Sequence, residues 1–169
     1  RKTFGSPSIT QAMILSTGAS LSASLNVVVK KTKFIYQMTQ LPQYEGKHAE
    51  QLQQIENGIY AITDEGIIDL KIPSLMMIDK YKDKIFDSGT KLFIAGALND
   101  KFVQFLKIQK NIQDIEIIIK DFTKVFSNED NTLQYLSKGG KIKVLDKANL
   151  IAITANPISP TGYHFNNEE

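Results

Sequence analysis

Apolar residues in this chain come in short blocks separated by small or polar turns. Ala12-Met13-Ile14-Leu15 closes on Ser16-Thr17-Gly18, which predicts a buried strand and a turn. Ser20 or Ser22 can cap the next helix through its hydroxyl. That helix is expected from about Leu25 to Gln40, with Val29, Phe34 and Met38 on its core side. Leu41-Pro42 stops it, because proline lacks the amide hydrogen that a helix interior needs. A second helical stretch covers Ala49 to Glu56, and Gly58 is its stop signal. Ile59–Ile62 and Ile67–Ile72 read as short strands, either a hairpin or two separated edges, around the turn residues Asp64-Glu65-Gly66. Pro73-Ser74 then opens a helix with Leu75, Ile78, Ile85 and Phe86 on one face.

The second half has the clearest pattern. Lys91–Ala95 predicts a strand and Gly96-Ala97-Leu98 a turn, and Asn99 or Asp100 caps a helix to about Asn111. Ile115–Ile119 is almost wholly β-branched, as suits a strand covered on both faces. Ser127 is the expected cap of a helix through Leu133 and Leu136 that ends at Gly139-Gly140. Lys141–Leu145 and Leu150–Thr154 supply two more strands. Strands alternating with helices are the pattern of βαβ units. The expected fold class is α/β: an open, mostly parallel sheet with helices on both faces, Rossmann-like and three-layered.

Composition narrows the chemistry. The 169 residues suit one domain with a substantial core. Twenty basic and 18 acidic side chains give a formal net charge of +2, which is no large footprint for nucleic acid. The sequence holds no cysteine, which rules out disulfides, thiolate metal ligands and a cysteine nucleophile within it. No apolar run approaches the roughly 20 residues of a membrane helix. Both ends read as cuts from a longer cytoplasmic chain, with 166–169 as a truncated end.

In open α/β sheets, ligands bind outside the carboxyl ends of the strands. The residues expected there are Thr17, Gly18, Gly96, Asn99, Asp100, Asp121, Thr123, Lys124, Asn156 and Ser159, as ligand- or partner-facing loops. Each also has a plainer role. Gly96 and Asn99 are ordinary strand-to-helix turn residues. Asp121 and Lys124 are spaced to pair with each other at a solvent edge. The histidines, His48 and His164, lack partners at zinc-ligand spacing. No serine lies in a nucleophile-elbow pattern, and the phosphate-loop pattern GxxxxGK[ST] is absent. No catalytic residue and no metal ligand is expected in this chain.

Several stretches together resemble one bacterial family. They are Gly5–Ala19, Gly96-Ala97-Leu98-Asn99-Asp100, Lys120-Asp121-Phe122-Thr123-Lys124-Val125-Phe126 and Ile151–Tyr163. The chain resembles the C-terminal part of the P-loop-containing small subunit of the reactivase for lysine 5,6-aminomutase. The resemblance implies part of an ATP-driven factor that exchanges damaged cobalamin from an adenosylcobalamin-dependent aminomutase, in amino-acid fermentation. It implies ATP and magnesium for the full-length family, with the P-loop upstream of Arg1 and no cofactor within this segment. The implied partners are the aminomutase and a second reactivase subunit, with neither nucleic acid nor membrane. Residues 1–20 would then be the tail of the nucleotide-binding domain, 21–88 a connecting region with short strands, and 89–165 the βαβαβ half of the sheet. Two other readings stand beside it: the substrate-binding half of a P-loop ligase resembling dethiobiotin synthetase, or a non-enzymatic partner-binding module.

Overall fold

The computed structural model describes residues 23–87 and 91–153. Residues 41–148 form one compact unit, and the described residues 23–40 and 149–153 lie outside it. The first helix, α1 (Ala23–Thr39), lies outside the 41–148 unit. Met38 is buried, while Lys30, Lys31 and Lys33 are exposed.

The 41–148 unit is a mixed α/β fold. Its elements are α2 (Ala49–Gln53), β1 (Ile59–Ile62), β2 (Ile67–Asp69), a 3₁₀ turn over Leu75–Tyr81 leading into α3 (Lys82–Asp87), β3 (Lys91–Ile94), α4 (Asp100–Lys107), β4 (Glu116–Ile119), α5 (Glu129–Ser137) and β5 (Lys141–Val144). The five strands form one sheet in the order β2-β1-β3-β4-β5. β1 is antiparallel to both its neighbours, and β3, β4 and β5 are parallel to one another. β1 and β2 are therefore a hairpin, closed by Thr63 and Gly66, and β1 alone runs against the other strands.

Strand alternation sorts the core. Phe93, Ala95, Ile118 and Ile62 share one face and pack with Tyr44 and Leu52, so the 41–55 segment covers that side. The alternate residues Leu92, Ile94, Ile117, Ile119, Ile142 and Val144 are buried too. Burial on both faces explains why the β4 sequence is an unbroken apolar run. α4 buries Phe102, Val103, Phe105 and Leu106, and it packs against α5, whose Tyr135 is fully buried. Complete burial of such residues contributes about 1.5–3 kcal/mol each.

Three expectations are corrected. The α5 cap is Asn128, whose side chain accepts from the Asn131 amide at 2.8 Å. Ser127 is buried instead, with its hydroxyl paired to that of Thr132. Residues 150–153 carry no strand, and Ile151 is exposed. The outer edge of β5 is occupied by the segment 42–44: the Tyr44 amide donates to the Val144 carbonyl at 2.8 Å, and the Val144 amide donates to the Pro42 carbonyl at 3.0 Å. Proline is tolerated there because an edge position leaves its missing N–H unneeded. The expected strand from Ile67 to Ile72 ends at Asp69, where Lys71 turns into the left-handed region at φ 53°.

Candidate functional site

Aligned register brings the carboxyl ends of the parallel strands level. Ile94, Ile119 and Val144 lie in one row across β3, β4 and β5. The turns leaving β3 and β4 then run side by side. The Leu98 amide donates to the Lys124 carbonyl at 2.7 Å, and the Phe126 amide donates to the Leu98 carbonyl at 2.9 Å. Gly96, Asn99, Asp100, Asp121, Thr123 and Lys124 thus gather at one rim of the sheet. Thr17, Gly18, Asn156 and Ser159 lie outside the described residues.

The side chains of Asn99, Asp100, Asp121 and Thr123 bind their own chain. Asn99 Oδ1 accepts from the Phe102 amide at 3.0 Å and caps α4, satisfying one of the amides that a helix start leaves unpaired. Asp100 reaches across to the start of α5. Its Oδ1 accepts from the Asn128 amide at 2.7 Å and from Asn131 Nδ2 at 3.2 Å, and its Oδ2 accepts from Asn128 Nδ2 at 3.0 Å. A carboxylate at a helix N-terminus is also favoured by the helix dipole. Asp121 Oδ1 accepts from the Thr123 amide at 2.8 Å and from the Thr123 hydroxyl, a local Asx turn. Lys124 contributes its carbonyl to the Leu98 bridge. A Cβ at Gly96 would meet nothing within 4 Å, so no close approach demands a glycine there.

Beyond β4 and β5 the rim is fastened from the other side. Lys120 Nζ donates to the Gln53 carbonyl at 3.2 Å, and Gln53 Nε2 donates to Asp146 Oδ1 at 2.7 Å. Gln43 Nε2 donates to the Leu145 carbonyl at 3.0 Å. Sequence reasoning passed over Gln43, Gln53, Asn128 and Asn131. The cap spacing before α5 was the one local signal for any of them.

Titration behaviour follows burial and pairing. Burial pushes the Tyr135 phenol well above its ordinary value of 10.0. Tyr44 is raised by burial first, then by the negative charges of Glu116 and Asp64. On the β2 edge, the hydrogen bonds from Lys71 hold the exposed Asp69 carboxyl below its usual range. His48 takes a left-handed conformation at φ 67°, and its buried Nε2 has no hydrogen-bond partner among the described residues.

The described residues do not fit a magnesium–nucleotide site. They contain no phosphate-loop pattern, and both carboxylate oxygens of Asp100 and Oδ1 of Asp121 accept internal hydrogen bonds. Among them, no three histidine or carboxylate side chains gather as metal ligands. Nor is any described helix long and apolar enough to cross a membrane. Fold and rim together define a mixed α/β unit whose strand-end groups are tied to one another. No family model matches the chain, and neither a curated protein nor a solved structure matches it.

Proposed function

We propose that this chain is part of an ATP-dependent reactivating factor that exchanges damaged cobalamin from an adenosylcobalamin-dependent aminomutase. Within that factor the 41–148 unit is a non-catalytic docking and transmission domain. The observation that carries the non-catalytic role is the internal engagement of Asn99, Asp100 and Asp121, which leaves those groups poorly placed for acid–base or metal chemistry. The family reading draws on the sequence resemblance. In it the sheet is the Rossmann-like core of a longer cytoplasmic protein, ATP and magnesium are held upstream, and a second reactivase subunit completes the assembly. The strand-end loops, with Thr123 and Lys124, then face the nucleotide-bearing part or the partner as a rigid surface.

A physical requirement follows. A coenzyme that has lost its adenosyl group stays bound and blocks the enzyme. A protein promotes its release only by binding the open, cofactor-free enzyme better than the closed, loaded one. Titration of the chain against aminomutase, cofactor-free or loaded with hydroxocobalamin, tests this. The expected result is at least about tenfold tighter binding to the cofactor-free form, a difference of about 1.4 kcal/mol. Equal affinity for both forms, or no binding to either, contradicts the reading.

A further inference from the structure

We propose that the amino end of the sheet, opposite the strand-end rim, is a docking surface for an acidic protein segment that carries an aliphatic side chain. It adds a second contact to the docking role above, and its test uses no aminomutase. β3, β4 and β5 begin in one row, at Lys91, Glu116 and Lys141. α4 and α5 return the chain to this end, so their last turns lie here too. Lys138 Nζ donates to the Lys107 carbonyl at 3.4 Å and joins the two helix ends.

The surface so assembled is basic around one apolar residue. Ile108 is 75% exposed, directly after α4, with Lys107 and Lys110 on either side of it in the chain. Lys110, Lys138 and Lys141 are exposed, and Lys107 is half-buried. Among the described residues none of these four lysines forms an ion pair. The nearby acids offset them only in part. Glu116 is paired to Lys143 at 2.9 Å, which leaves Asp114 as the other carboxylate of the α4–β4 connection.

Helix dipoles account for part of this arrangement, because cations near helix C-termini are stabilising. That explains Lys107 and Lys138. It does not explain Lys110, Lys141 or a large aliphatic side chain left in water between them. Charge complementarity selects an acidic occupant, and Ile108 selects one with an apolar group to cover it. Nucleic acid fits less well: among the described residues this end exposes no aromatic side chain for base stacking, and the chain's one arginine is Arg1.

The test is an NMR titration of the isotope-labelled chain with a capped pentapeptide that has one leucine between two pairs of glutamates. Saturable shifts centred on Ile108, Lys110, Lys138 and Gly139 are expected. Affinity should fall at least about tenfold in the Lys110→Glu/Lys138→Glu variant, and again when salt is raised from about 0.1 M to about 1 M. Replacing the peptide leucine by alanine, or Ile108→Ala in the chain, should also weaken binding. Shifts centred elsewhere, no saturable shift, or undiminished binding by the charge-reversed variant would overturn the proposal. So would a single-stranded oligonucleotide that binds the same residues more tightly than the peptide.

Discussion

The two ends of the parallel strands use polar residues in opposite ways. At the carboxyl end, Asp100 holds the start of α5, Asp121 holds its own turn, and Asn99 holds α4. At the amino end, Lys110, Lys138 and Lys141 stand in solvent around an exposed isoleucine. The carboxyl end is where open sheets usually bind ligands, and here Asn99, Asp100 and Asp121 also make hydrogen bonds within the chain. Position in the fold therefore does not by itself make a residue functional. What decides is whether its hydrogen-bonding capacity is left over after folding.

The largest expected effect probes how the amino end is anchored. Tyr135 is fully buried, and a Cβ at Gly140 would run into its ring. Tyr135→Ala should cost about 3–5 kcal/mol, read as a lower urea midpoint. A small loss would mean that the amino end is not a packed platform. The same residue gives a pH signature. Its folded-state pKa is raised, so its contribution is fully present below the ordinary value of 10.0 and is lost as pH rises beyond it. Stability should fall there by up to about 1.4 kcal/mol per pH unit, and Tyr135→Phe should flatten that decline in pH-dependent melts.

Next in size is the carboxyl end. Asp100→Ala removes the acceptor for three donors and should cost about 1–2 kcal/mol. Asn99→Ala removes a helix cap and should cost about 1 kcal/mol. Both are read in denaturant titrations. The smallest effect belongs to the opposite end: Lys110→Ala with Lys138→Ala should move stability by no more than about 0.5 kcal/mol. If the lysine pair cost more than Asp100, the contrast between the ends would be reversed.

Much of the element order was legible in the chain. The β4 run Ile117-Ile118-Ile119 announces a strand buried on both faces, and Asn99 announces a cap. The Ile151 block was misleading because a short apolar run carries no information about which sheet edge is open. Segment 42–44, about a hundred positions earlier, already fills the edge beside β5. Ser127 was the expected cap, but tertiary packing buries it and the role falls to Asn128. The rim showed the same limit. Asp100 could be placed at a strand end from sequence, but its partners lie 28 and 31 residues away. Whether a polar side chain is free depends on such distant approaches, which no local pattern encodes. The lysines of the amino end become one surface only through the shared register of three strands.

The central claim is that the carboxyl-end side chains are closed upon one another. A double-mutant cycle between Asp100→Ala and Asn128→Ala, followed by urea denaturation, measures that closure directly. Subtracting the single effects cancels the loss of the α5 cap and isolates the bond between the two side chains. A coupling of about 1 kcal/mol is predicted. Coupling indistinguishable from zero would mean that the Asn128 side chain does not hold Asp100, which contradicts the closure.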